Sequence, residues 1–349
     1  MQQANKQAAA EDEDQWVDLD NPDEVFEGMV PDRIRFDETA ISLPPANTLD
    51  ICNDGDDDRA ALRHMLAAPN RWLCKLQVAY VDPDTGAVSY TEGSGLLIAD
   101  QFVLTAAHVL MDAVEDDDGK FLRAIDAGAV VVIPGLNGRR RRRRSRAADT
   151  MPFGWSQGTA FRTNSLFRSA MQKSGRQFAH LDYAVIKLAA PIGRRRFKAL
   201  KNRRLGNWGV STHRGRTRIR VLSPKRVKNV KVNAVGYPGD KCMGRPRRGS
   251  ISQTDLSACR SADRGSVPWY SFDRVRSAGS APAIFAQLTL DHDVAPGMSG
   301  GPVWLRWKGV RNLIGINHAC TLDDDDNVIS SSATRITDRV KRDITAWVS

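Results

Sequence analysis

The sequence has no long apolar run. None of its hydrophobic stretches approaches the roughly 18 to 20 residues that cross a bilayer as a helix, which excludes a helical membrane span. Met1 to Trp16 lacks the apolar centre of a Sec-type export signal. Cysteine is sparse: five residues (Cys52, Cys74, Cys242, Cys259 and Cys320) are too few for a disulfide scaffold, and the odd number leaves at least one thiol unpaired within the chain. There is no internal repeat of fixed period, and no zinc-finger spacing, RNP motif or interleaved aromatic platform for reading nucleic acid. No metal constellation stands out either, because Asp323 to Asp326 lacks the alternating ligands and later Glu of a calcium loop. No cofactor or metal is therefore expected. The 349 residues, 41% hydrophobic and 26% charged, have an ordinary globular composition and the length of one large domain or two modest ones.

Charge is unevenly spread. Residues 1–58 hold 17 Asp and Glu against 3 Lys and Arg, a net of −14, so the remaining residues carry +24 of the total +10. This stretch has few aliphatics and several prolines, the composition of a weakly ordered acidic extension. It reads as a solubilising tail, or as a pro-segment held on the basic body by long-range attraction. The body proper is expected over 59–349.

From Arg71 the pattern becomes short strand-like runs broken by Gly, Asp and Pro: Leu73 to Val81, Ala87 to Tyr90, Gly95 to Ala99, Phe102 to Leu104 and Val130 to Ile133. Further runs follow at Tyr183 to Leu188, Val230 to Val235, Ala283 to Leu290, Pro302 to Leu305 and Leu313 to Asn317. The number and spacing predict a closed or sandwiched all-β fold. One helix is expected at the C-terminus, where Val340, Ile344 and Trp347 share a face within Thr337 to Val348. Two stretches read as insertions, about 135–177 with its block Arg139 to Arg144, and about 241–280 with Cys242 and Cys259, whose pairing is open.

Three segments carry chemistry. Thr105-Ala106-Ala107-His108 follows the apolar pair Val103-Leu104, so a tight turn leaves His108 at a strand end. Asp182 immediately precedes another strand, where a buried carboxylate would orient an imidazole. Gly297-Met298-Ser299-Gly300-Gly301 flanks a serine with glycines, letting the N–H groups of Gly297 and Ser299 converge as an oxyanion hole. The order His, Asp, Ser is that of a nucleophilic triad.

These segments resemble the trypsin-like serine peptidases, and within them the bacterial glutamyl endopeptidase, or V8-like, branch. The closer likeness rests on Val235-Gly236-Tyr237-Pro238-Gly239-Asp240-Lys241, on Asp57-Asp58-Arg59 and on Ile314-Gly315-Ile316, and covers about 57–349. It implies two six-stranded β-barrels of the chymotrypsin-like fold, with the site in the cleft between them. It implies Ser299 as nucleophile, His108 as base and Asp182 as the group fixing the His tautomer. Met298 stands where trypsin has the Asp that receives a new N-terminal amine, so that switch is missing. Asp293, Val294, Asn317 and His318 fall where the family binds the substrate side chain at the cleavage site. Val294 replaces the branch's usual Thr, and Asn317 its usual His, with His318 one place on. The implied partner is a protein or peptide substrate, and the implied enzyme a secreted or periplasmic monomer.

Two other readings compete. Gly297 to Gly301 also fits the nucleophile elbow of α/β-hydrolases, but that class needs the acid and then the His after the serine, whereas His318 precedes Asp323 here. The body charge and Arg139 to Arg144 would suit non-specific polyanion contact, either as an accessory property or as the role of a catalytically weak homologue.

Overall fold

The computed structural model of the chain describes residues 15–20, 58–116, 118–138, 150–210, 216–241, 265–279, 287–322 and 328–349. The block Arg139 to Arg144, the Cys242 and Cys259 pair and the run Asp323 to Asp326 lie outside these residues.

Six strands form the first barrel: β1 (Leu73–Val81), β2 (Val88–Ala99), β3 (Phe102–Thr105), β4 (Phe121–Pro134), β5 (Ser156–Thr163) and β6 (Ala184–Leu188). All pair antiparallel, in the closed circuit β1-β2-β3-β6-β5-β4 and back to β1. The second barrel contains β7 (Lys231–Gly236), β8 (Trp269–Ala278), β9 (Gln287–Leu290), β10 (Pro302–Trp307), β11 (Val310–Leu322) and β12 (Val328–Arg335). Its circuit, β7-β8-β9-β12-β11-β10 and back to β7, repeats the first. The expected pair of six-stranded barrels is therefore the fold. The expected C-terminal helix spans Asp338–Trp347, with Thr337 accepting the Val340 N–H as its cap.

The apolar runs follow from where each face goes. On β1, Cys74, Leu76, Val78 and Tyr80 face the barrel interior. The alternate residues Leu73 and Ala79 pack with Val131 and Ile133 of β4 against Val235 and Tyr237 of the second barrel. Burial of both faces is why β1 reads as nearly continuous hydrophobic sequence. Lys75, the exception, is buried with its ammonium 2.5 Å from Glu92 Oε2.

The expected insertions are narrower than the sequence suggests. Strand β5 lies within 135–177, followed by an amphipathic helix, Ser165–Ser174, that packs Phe167 and Met171 into the first core. The sequence reading did not expect this helix: Asn164 caps it by accepting the Leu166 N–H, and Gly175 ends it at φ 65°. Likewise β8 falls within 241–280, and β2 joins two expected strands into one. Part of the acidic extension also belongs to the fold, because Val17–Asp18 adds to β5 as an edge strand.

Candidate active site

His108 sits in a 3-10 turn, Ala107–Val109, directly after β3. Asp182 precedes β6, and β3 pairs with β6, so Thr105 lies opposite Ala184. The ladder thus brings the two side chains together. Asp182 is fully buried, and its carboxylate takes two bonds from one residue: the His108 backbone N–H donates to Oδ1 at 2.8 Å and His108 Nδ1 to Oδ2 at 2.6 Å. The second bond fixes the proton on Nδ1 and leaves Nε2 free to accept. On the other side, Thr334 Oγ1 of the second barrel lies 3.0 Å from the Asp182 carbonyl.

The turn from Ala295 to Gly301 is tied on every side. Met298 N–H donates to Ala295 at 3.0 Å and Gly300 N–H to Asn317 at 2.9 Å, while Asn317 N–H donates to Gly301 at 2.8 Å. Ser94, on β2, holds the turn from the first barrel. Its N–H donates to the Ser299 carbonyl at 2.8 Å, and its Oγ donates to the Gly297 carbonyl at 2.7 Å while accepting the Tyr237 N–H at 2.8 Å. Among the described residues, the N–H groups of Gly297 and Ser299 have no hydrogen-bond acceptor. Gly297 adopts φ 90°, and a Cβ there would stand 2.5 Å from the Tyr237 carbonyl, so only glycine fits. Ser299 Oγ donates to the His318 carbonyl at 3.1 Å. Among the described residues Ser299 Oγ makes no hydrogen bond to His108 Nε2. Such bonds often tighten only in the substrate complex.

His318 departs from its expected place among the residues that bind the substrate side chain. Its Nδ1 contacts Asp182 Oδ2, the same oxygen that His108 uses, and the two imidazoles meet edge to face at 5.4 Å. Successive residues of a strand point to opposite faces. A His moved one place along β11 therefore leaves the Asn317 face and turns to the carboxylate. Of the other expected pocket residues, Asp293 is buried with Oδ2 accepting the Asp58 N–H at 2.6 Å, Val294 is buried, and Asn317 Oδ1 is buried without a partner. Sequence reasoning missed Ser94 as well, since nothing in Gly93-Ser94-Gly95 signals what it contacts.

The electrostatics follow from this packing. Burial alone would push Asp182 up, but the two imidazoles by charge and hydrogen bond hold it far below the usual carboxylate range. Burial pulls His108 down, and the Asp182 carboxylate, with Asp112 further off, more than reverses this, leaving His108 above its ordinary value. Ligand-type atoms of His108, Asp182 and His318 also lie within 4.8 Å of one another, a donor set of two nitrogens and one oxygen that a transition metal would accept. A metal held by the His108 ring would occupy either the Nδ1 that donates to Asp182 or the Nε2 left free to accept, so ligation and action as a base exclude each other.

A double barrel with this strand circuit and the two turns meeting between its halves defines the chymotrypsin-like fold. A profile of the trypsin-like peptidase domain matches residues 93–316, more than half of the chain, and the chain belongs to that family. A structure of Glu endopeptidase in complex with MPD aligns at a TM-score of 0.50 and 17% identity, over 84% of this chain and 97% of that one. HL collagenase aligns at 0.45 and 15%, over 84% and 96%. The protease Anisep from Arthrobacter nicotinovorans aligns at 0.43 and 14%, over 76% and 90%. No curated protein sequence matches the chain.

Proposed function

We propose that the chain is a serine endopeptidase acting through Ser299, His108 and Asp182. The observation that carries this reading is the pair of hydrogen bonds from His108 to a fully buried Asp182, which presents Nε2 as a base beside a serine turn with two unused N–H donors. In the first step Ser299 Oγ attacks the substrate carbonyl as His108 Nε2 takes its proton. The Gly297 and Ser299 N–H groups receive the oxyanion. The imidazolium, stabilised by Asp182, returns the proton to the departing amine and leaves an acyl-enzyme. Water, deprotonated by the same Nε2, then releases the acid product and regenerates the hydroxyl.

Within this reading, Asp293, Val294 and Asn317 shape the pocket for the side chain at the cleavage site. The Asp293 carboxylate already accepts the Asp58 N–H, which argues against selection of Lys or Arg by that group. His318 is a positioning residue that shares Asp182 with His108. Hydrolysis of an unfolded protein substrate, followed by mass spectrometry of the fragments, tests the proposal. The full chain should produce endoproteolytic fragments, and Ser299→Ala should lower the rate by about 10⁶. Equal cleavage by both proteins would reject the assignment.

A further inference from the structure

A cavity of about 520 Å³ lies at the junction of the two barrels and shares no residue with the site above. That is the size range of ligand pockets. It is lined by Trp72, just ahead of β1, by Trp208 on the segment leaving the first barrel, and by Arg311 on β11. Arg71 and Arg216 line it as well, so three arginines border one cavity. The arrangement is built by the backbone: the strand Thr217–Ile219 runs parallel to β11 with Thr217 opposite Arg311, and the Arg311 N–H donates to the Arg216 carbonyl at 2.8 Å.

Among the described residues the charges here have no counterpart. No Asp or Glu lines the cavity among the described residues, and none of the three arginines takes part in an ion pair. Arg71 and Arg311 instead lean on Trp72 and Trp304, at 5.4 and 5.7 Å from the ring centres. The Nε of each is buried without a hydrogen bond. Burial, then Arg203, lowers Arg71, while burial, then Arg306 and Arg216, lowers Arg311. Trp208, which lines the cavity, is 1% exposed, and its indole N–H has no acceptor among the described residues. Buried donors without acceptors are destabilising, and like charges drawn together in a half-buried site repel. A multivalent oxyanion would satisfy both, and guanidinium forks match phosphoryl oxygens in pairs.

We propose that this cavity binds a small polyphosphate anion, two or three phosphoryl groups long, through Arg71, Arg216 and Arg311. The +24 charge of the body outside the acidic extension would draw such an anion toward the surface.

The test is calorimetric titration of the full chain with inorganic triphosphate at constant ionic strength. One saturable site is expected, weakened at least 10-fold in Arg71→Met/Arg311→Met and unchanged when Arg139 to Arg144 are all replaced by Gln. Where the double variant fails to fold, the unaltered chain gives a second reading. Triphosphate should protect Arg71, Arg216 and Arg311 from phenylglyoxal, mapped by mass spectrometry, while exposed Arg196 stays reactive. Absence of saturable binding, binding lost only with Arg139 to Arg144, or equal modification with and without triphosphate would each overturn the proposal.

Discussion

The two barrels share one strand circuit and differ in what they bury. The first encloses aliphatic and aromatic side chains, among them Leu76, Leu97, Val103, Phe161 and Ile186. The second has a smaller apolar cluster around Val232, Leu288 and Val303, and takes inside it His292, Asp293, Asn317 and the run Ser330 to Ser332. Most buried polar groups are held by partners. In the second barrel several of them hold the site: Asn317 anchors Gly300 and Gly301, and Thr334 reaches the Asp182 carbonyl. The first barrel is a rigid mount for His108 and Asp182, and the second a polar frame for the serine turn. A shared topology thus serves two tasks, and the bonds that cross between the barrels assemble the chemistry.

With Ser299 left in place, the strongest expected effect falls on the mount in the first barrel. In Asp182→Asn, the oxygen would stay on the His108 N–H, turning the amide NH₂ toward the ring and forcing His108 Nδ1 to accept. The proton then sits on Nε2, the base is lost, and kcat should fall by about 10⁴, measured on a peptide substrate. Leu76→Ala in the first barrel should act otherwise, costing about 2 to 5 kcal/mol in urea unfolding with kcat of the folded enzyme preserved. Loss of kcat at full stability would break the division of labour. Ser94→Ala removes the hydroxyl that joins the Tyr237 N–H to the Gly297 carbonyl, so about 1 to 3 kcal/mol is expected, appearing in kcat more than in KM.

The smallest effect sharpens the picture of the shared carboxylate. His108 must be neutral to take the serine proton, so activity falls as pH drops through its pKa, which lies above the ordinary imidazole value. Removing His318 in His318→Asn withdraws a competing partner from Asp182 Oδ2. Asp182 then stabilises protonated His108 more strongly, and the acid limb of kcat/KM should move to higher pH by about half to one unit. A limb that stays in place would mean that His318 does not share the charge of Asp182.

The sequence made the barrels legible because each strand alternates or runs apolar between Gly, Asp and Pro turns. The segments that carry His108 and Ser299 stand out because small residues and glycines mark their turns. Strands β5 and β8 escaped because Arg, Ser and Gly around them diluted the apolar signal. The helix Ser165–Ser174 escaped although its Asn164 cap and Gly175 stop were present. His318 was assigned by its position in the chain, where strand alternation from Asn317 already placed it on the opposite face. Ser94 and the arginine-lined cavity depend on pairings between residues more than ninety positions apart, which no local pattern encodes.

The central claim is a preorganised nucleophile, and covalent labelling reads it directly. The full chain, Ser299→Ala and a heat-denatured sample would be treated with a fluorophosphonate probe, and the modified residue mapped by mass spectrometry. Labelling of the native chain at Ser299 alone is expected, with none in the variant or the denatured sample. No labelling of the native chain, or labelling that persists in Ser299→Ala, would contradict it.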